Sequence, residues 1–281
     1  MHFGQPFGDQ EKRKVAVVIP LSNRSTFTVD EEISYKQLVH FLGKYDRYFV
    51  TPKSLDIDFP ESRIRRFDDR YFGSIVAHTK LMLSAMFYDS FSDYEYILIH
   101  HLDALVFSDQ LLKWCEEGFD YIGPPWIKCD ATPWVEVSRV GNGGLSLRKI
   151  KSFLRVFDSD RHWVDPDEYW EGFCRAHPLP TQLLNLPRKF LKRLVYFNNV
   201  KHELAQWPFR TDGKGNEDYF WADEATRYYP PFNVAPFKVG LRFAFEVAPR
   251  LCYQMNNYQL PFGCHAWPRY DRAFWEPYLL K

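Results

Sequence analysis

The sequence predicts an α/β fold, a mostly parallel central sheet flanked by helices. Three observations predict it. Apolar runs of strand length alternate with amphipathic segments of helix length, each run stops at proline, glycine or a polar cluster, and the alternation persists through the first half of the 281 residues. Residues 15–20 follow a charged segment and read as a strand buried on both faces, stopped by Pro20. Residues 30–43 carry Ile33, Leu38, Val39, Phe41 and Leu42 among polar neighbours with Gly43 as a stop, so a helix is expected. Strands follow at 47–51, ending before Pro52, and at 63–67. Residues 75–87 have helical spacing through Val76, Leu81, Leu83, Met86 and Phe87. A strand at 96–99, a short helix at 110–117 and a strand at 119–122 complete this half.

The second half is less regular. Pro166, Pro178, Pro180 and Pro187 predict connecting segments, a helix is expected after Asn216, and 243–247 reads as a strand. With no internal repeat and no low-complexity linker, the reading is one domain over residues 1–281.

Composition narrows the function classes. Lys+Arg and Asp+Glu both number 36, and the net charge of zero argues against a nucleic-acid partner. Aromatics make up 18% of the chain, enough to fill a core and still line a surface that stacks on flat ligands. The five cysteines are widely spaced with no CxxC pair, so a reducing compartment is the simplest inference. Residues 1–14 lack the apolar centre of a signal peptide, and no apolar run approaches the ~18–20 residues that span a bilayer.

Residues 96–107 concentrate the chemical information. The apolar strand ends abruptly in His100, His101 and Asp103 before apolar residues resume. Burying an unpaired carboxylate costs several kcal/mol, so one at a strand end calls for a cation, a metal or a satisfied turn. Asp supplies the hard oxygen that suits Mg²⁺ or Mn²⁺, whereas imidazole suits Mn²⁺ better; His101 could instead bond a phosphate or a bound water. Val140-Gly-Asn-Gly-Gly-Leu-Ser-Leu-Arg148 is the second signal. Its glycines imply positive-φ backbone and close approach of another group, and Leu145 to Arg148 reads as the start of a helix. Such loops offer amides to phosphates or sugar hydroxyls. At Gly215-Asn-Glu-Asp-Tyr-Phe-Trp221, Glu217 and Asp218 sit at a helix N-terminus, where they either cap it or serve as a general base and an acceptor contact. Tyr219 and Trp221 are placed to stack on a sugar. His265, in Pro261-Phe-Gly-Cys-His265, is a core residue or a metal ligand. Residues 186–197 join four basic side chains to Phe190, Leu191, Leu194 and Val195, giving either a helix face packed on the core or contact with an anionic membrane surface.

The order of these elements resembles the GT-A class of nucleotide-sugar-dependent glycosyltransferases. More narrowly, the blocks at 119–126, 140–148 and 216–218, with Phe245-Glu246 and Pro261-Phe-Gly-Cys-His265, resemble a family of GT-A-type transferases catalogued as a domain of unknown function. The resemblance spans roughly residues 15–270. It implies a GT-A-like single domain, with a Rossmann-like nucleotide-binding half at 15–125 and a donor-sugar and acceptor half at 126–281. In that class a DxD motif holds a divalent metal on the donor diphosphate. Asp103 matches its last Asp, His101 replaces the first, and His265 inherits the role of a C-terminal metal ligand. Asp218 matches the base of the inverting enzymes' xED motif, and Glu217 becomes an acceptor contact with Tyr219, Trp221 and Glu246. Pro20, Leu21, Thr51, Lys80, Asn142, Gly143 and Gly144 would approach the donor.

The resemblance therefore implies an inverting transferase that uses Mn²⁺ or Mg²⁺, a nucleoside-diphosphate sugar (a UDP-sugar favoured) and a glycan or glycolipid acceptor. The location expected is cytoplasmic, peripheral at the inner face of the membrane through 186–197, in polysaccharide or glycoconjugate assembly. Alternatives are a retaining GT-A enzyme, a nucleotidyltransferase, or a non-catalytic carbohydrate-binding module. The nucleotidyltransferase is disfavoured because its glycine-rich loop after the first strand is missing from Leu21-Ser-Asn-Arg-Ser-Thr.

Overall fold

The computed structural model describes residues 13–21, 23–57, 59 and 61–280, so the expectation for the N-terminal segment lies outside it through residue 12. A six-stranded sheet forms the centre. Strand β1 (Arg13–Pro20) pairs in parallel with β2 (Asp46–Pro52) after helix α1 (Val29–Leu42), and β3 (Arg63–Phe67) extends that edge. Helices α2 (Ile75–Met82) and α3 (Ala85–Asp89) then carry the chain across to β4 (Tyr94–His100), parallel to β1 on its other side. Residues 15–19 of β1 and 96–100 of β4 are buried throughout, as strands covered on both faces must be.

α1 begins at a capping box in which Thr28 accepts from Glu31 N–H and the Glu31 carboxylate accepts from Thr28 N–H. Its buried face carries two polar side chains, each satisfied elsewhere. Ser34 accepts the Trp267 indole N–H at 2.9 Å, and Gln37 donates to Val106 O at 3.0 Å. The helix expected over 75–87 is broken at Leu83–Ser84. Ser84 caps α3 by accepting from Phe87 N–H and donates to Leu81 O, so its side chain competes with helix continuation.

After β4 come β5 (Leu105–Val106), α4 (Leu111–Glu116), β6 (Tyr121–Ile122), β7 (Pro125–Trp126), β8 (Arg139–Val140), β9 (Leu145–Lys149) and α5 (Ile150–Phe157). The sheet order is β3-β2-β1-β4-β9-β6, with β9 antiparallel to both of its neighbours. Leu145 to Arg148 is therefore a strand, not the helix start the sequence suggested. Side chains alternate along it, which puts Ser146 and Arg148 on one face, and the helix opens at Ile150.

The proline-rich region is helical rather than connecting. Helices α6 (Pro166–Ala176), α7 (Leu179–Leu184) and α8 (Leu186–Arg193) each have proline in the first turn, where its missing N–H costs nothing. Residues 161–197 contain no buried side chain, so 186–197 does not pack on the core. Helix α9 (Val200–Gln206) returns to the body. Helix α10 (Glu217–Tyr219) runs through a π-type turn at Phe220–Glu224 into α11 (Ala225–Tyr228).

The remaining elements are α12 (Phe237–Phe243), β10 (Ala244–Phe245), α13 (Pro249–Met255), β11 (Gly263–Cys264) and α14 (Arg272–Trp275). β10, β11 and β5 form a small sheet over a second apolar cluster that includes Leu105, Phe245, Cys264, Trp267 and Trp275. Only Ala244 and Phe245 remain of the strand expected over 243–247. Among the described residues, no helix is long and apolar enough to cross a membrane.

Candidate active site

The small sheet determines which side chains meet. β10 and β11 are parallel, and β5 runs antiparallel to β11, with Gly263 opposite Val106 and Cys264 opposite Leu105. The residue after β10 (Glu246), the residue after β11 (His265) and a residue just before β5 (Asp103) therefore emerge at the same edge. His265 bridges the other two, with Nδ1 3.1 Å from Glu246 Oε1 and Nε2 3.3 Å from Asp103 Oδ1. Asn142 Nδ2 donates to the same Glu246 oxygen at 2.9 Å, while Asn142 Oδ1 accepts from Gly144 N–H at 2.9 Å. His101 N–H donates to Gly144 O at 2.8 Å, which ties the carboxyl end of β4 to the glycine loop.

That loop is glycine-rich because of crowding. A Cβ on Gly144 would stand 2.1 Å from His265 Nε2; one on Gly143 would stand 2.6 Å from Glu217 Oε1 and 3.4 Å from Asp218 Cβ. The left-handed backbone expected here is not found, since the positive-φ glycines are Gly73, Gly118 and Gly213 among the described residues. Two consecutive glycines thus touch the His265 group on one side and the Glu217–Asp218 helix start on the other. All line one cleft of about 730 Å³, together with Pro20, Leu21, His101 and Asp103.

The two adjacent carboxylates differ in their surroundings. Glu217 Oε1 accepts from Arg148 Nη2 at 3.1 Å. Arg148 is fully buried, and its guanidinium also donates to Ser146 Oγ and Tyr88 Oη, both at 2.9 Å. Asp218 Oδ1 accepts from Tyr219 N–H at 2.9 Å, a bond within its own turn. Burial, with the charges of Glu217 and Glu246 nearby, holds the Asp218 carboxyl well above its ordinary range. His265 shifts the opposite way to an ordinary buried imidazole. Burial opposes its charging, but the hydrogen bonds and charges of Asp103 and Glu246 outweigh that and raise it to about 10. Burial also acts against Asp103 ionisation, and His265 overcomes it, so this carboxyl lies below the ordinary range. His101 is driven well below the ordinary imidazole value by burial and then by His78 and His265.

His101, Asp103 and His265 can each bring one ligand atom within 4.8 Å of the others. His101 Nε2 is buried with no hydrogen-bond partner, an orphan that a cation would satisfy. Two imidazoles and a carboxylate fit a first-row divalent ion such as Mn²⁺, and Mg²⁺ less well.

Some expected site residues lie elsewhere. Trp221 is fully buried, packed on Phe153 with ring centroids 4.1 Å apart, and cannot stack on an acceptor. Tyr219 stacks on Trp126 with centroids 4.2 Å apart and is absent from the cleft lining. Thr51 is buried in β2, and Lys80 lines a neighbouring groove with Nζ 4.5 Å from the Phe209 ring centroid. Lys80 was placed by the resemblance and Trp221 by its nearness to the Glu217–Asp218 helix start, and neither says which side of a helix meets the core. His78 was assigned no role by sequence reasoning, yet it lines the cleft. Its ring centroid is 5.2 Å from that of His101, and its Nε2 is buried without a partner. No sequence signal marks it, because a lone histidine on a helix has no distinctive neighbours. Arg148 was also missed; reading 145–149 as a strand would have exposed the Ser146–Arg148 face.

A family described as "Protein of unknown function (DUF5672)" matches residues 61–265. The chain belongs to the DUF5672 family. In this DUF5672 protein the matched span contains the Gly-Asn-Gly-Gly loop, both helix-start carboxylates and His78, His101, Asp103, Glu246 and His265 of the cleft, whereas Pro20 and Leu21 lie outside it. The sequence matches no curated protein. Among solved structures, the chain is similar to the glycosyltransferase GlyE of Streptococcus pneumoniae TIGR4, with 13% identity and a TM-score of 0.44 over 96% of this chain and 61% of that one. It is also similar to mouse xyloside xylosyltransferase 1, with 11% identity and a TM-score of 0.46 over 90% and 97% of the two chains. A third similar structure is the 4-diphosphocytidyl-2C-methyl-D-erythritol synthase of Anaerococcus prevotii DSM 20548, with 12% identity and a TM-score of 0.30 over 57% and 84%. The chain spans 61% of the GlyE chain's length.

Proposed function

We propose that this protein is an inverting, metal-dependent glycosyltransferase that moves a sugar from a nucleoside-diphosphate donor, a UDP-sugar favoured, to a hydroxyl of a glycan or glycolipid. The reading places its work in the cytoplasm, in polysaccharide or glycoconjugate assembly. One observation carries it: the glycine pair Gly143–Gly144 touches a His101–Asp103–His265 cation set on one side and the Asp218 helix start on the other, within one cleft.

Each group then has a defined task. Asp218 accepts the proton of the acceptor hydroxyl. The acceptor oxygen forms its bond to the anomeric carbon as the bond from that carbon to the diphosphate breaks, which inverts the centre. A carboxylate without a basic side chain on it, raised in basicity by burial and by neighbouring charge, suits that task. Glu217 is already engaged by Arg148, so in this reading it positions the helix start rather than gripping the acceptor. Asn142, Gly143 and Gly144 line the donor-sugar end of the cleft, with Pro20 and Leu21 lining the nucleoside end. His101, Asp103 and His265 would hold the cation, whose chemistry is to neutralise charge on the departing diphosphate. Glu246 orients His265 from behind.

The test joins binding to turnover. Asp218→Asn should retain calorimetric binding of UDP with Mn²⁺ and lose transfer, while wild type should stop in EDTA and recover with Mn²⁺. Near-normal transfer by Asp218→Asn removes it as the base. A product with the donor's anomeric configuration replaces the inverting reading with the retaining one.

A further inference from the structure

Residues 165–197 form a lobe that leaves the body at Val164 and returns at Asn198. Asn198 closes its neck. This buried side chain donates to Val164 O at 2.7 Å and Lys192 O at 2.9 Å, and accepts from Val164 N–H at 3.1 Å. Beyond that neck the lobe has no core, since none of residues 161–197 is buried. Among the described residues, 9 of the 20 exposed large apolar side chains fall between residues 179 and 197. Leu186 and Phe190 stand four positions apart and so share one side of α8, and Leu183, Leu184, Leu191 and Leu194 are exposed on α7, on α8 and just after it. Leu184 is 81% exposed and Phe190 63%. So many large apolar side chains exposed within one short segment suggest an interaction surface.

Charge favours one occupant. The lobe holds five Lys or Arg and four Asp or Glu, but all four acids lie at residues 165–171 at the start of α6, and α7 and α8 carry only bases. Lys189 lies over the Trp170 ring and Lys192 over that of Tyr169, at 5.3 and 5.4 Å, so both ammonium groups rest on aromatic rings of α6. Arg193 pairs with Asp167 at 2.6 Å, which ties α8 to α6. A short helix with an exposed apolar side, bases on its polar side and Trp and Tyr next to them suits the boundary between headgroups and acyl chains. A second copy of this chain would set like charge against like, which argues against self-association through this face.

We infer that the α7–α8 face of this lobe docks on the surface of an anionic lipid bilayer, with Leu184, Phe190, Leu191 and Leu194 entering it and Arg188, Lys189 and Lys192 meeting lipid phosphates. The inference is independent of the transferase reading, and its test needs no turnover.

The test is flotation of the full chain with vesicles of phosphatidylcholine alone or with one quarter phosphatidylglycerol. Binding is expected on the anionic vesicles, at least tenfold weaker on the neutral ones, and weakened several-fold by raising salt from roughly 0.1 to 0.5 M. Phe190→Ser with Leu191→Ser should lower the partition coefficient at least tenfold with an unchanged melting temperature, because neither side chain is buried. Arg188→Glu with Lys189→Glu should remove the preference for anionic lipid. Equal binding to both vesicle types, or no loss in either double variant, overturns the inference. So does a dimer in sedimentation velocity that Phe190→Ser dissolves, which would assign the face to a second copy.

Discussion

Adjacent carboxylates of the same helix start should respond oppositely to neutralisation. Glu217 is the acidic partner of Arg148, whose side chain is fully buried, while that of Glu217 is 9% exposed. Replacing Glu217 with Ala leaves a buried guanidinium with its neutral hydrogen-bond partners Ser146 and Tyr88 and no counter-charge. Breaking a buried pair from one side costs about 3–5 kcal/mol, a large share of the ~5–15 kcal/mol that holds a domain together. The melting temperature should fall on the order of 10 °C. Asp218→Asn should leave stability unchanged or raise it at neutral pH. The sign follows from its raised carboxyl: the fold disfavours the ionised form, and Asn removes that form. Guanidinium denaturation of both single variants, of Arg148→Met and of the Glu217→Ala/Arg148→Met double completes a cycle. The double should lie closer to wild type than either half-broken pair, because apolar replacement of both partners removes the uncompensated charge. Equal losses for Glu217→Ala and Asp218→Asn, or a double equal to the sum of its singles, would refute the assignment of the Arg148 pair.

Three further outcomes are expected. Gly144→Ala puts a methyl where the His265 imidazole lies, 2.1 Å from Nε2, so calorimetric Mn²⁺ affinity should fall roughly 10–100-fold; unchanged affinity would separate His265 from the cation. In kcat/KM against pH, the acid limb should rise with unit slope through an inflection above the ordinary carboxylate value of about 4, because in the proposed reading Asp218 acts only after losing a proton that burial and Glu217 retain. An inflection at the ordinary value, or the same limb in Asp218→Asn, removes that assignment. Trp221→Ala should cost about 3–5 kcal/mol in denaturation as a core truncation; a stable variant with only a raised acceptor KM would restore Trp221 to the acceptor site.

Where burial on both faces imposed a single reading, the elements were legible. Residues 15–20 and 96–99 had to be central strands, and the helix expected over 30–43 from its apolar spacing is α1. Legibility failed where one local pattern allowed two structures. Leu145 to Arg148 follows glycine like a helix start, and pairing with β4 and β6 made it a strand. The prolines at 166, 180 and 187 read as breakers, yet each occupies a first helical turn. His78 and Arg148 were missed because a single residue announces its partners only in three dimensions.

By itself the sequence determined the α/β class, the acidic end of β4, the glycine loop and the Glu217–Asp218 helix start, because alternation, breakers and caps act over a few neighbours. Tertiary structure alone decided that β10, β11 and β5 bring Glu246, His265 and Asp103 to one edge. It also decided that Arg148 claims Glu217 and leaves Asp218 with only its own turn's N–H, and that Trp221 belongs to the core. These outcomes depend on contacts between residues up to more than a hundred positions apart, and local periodicity carries no information about such pairings.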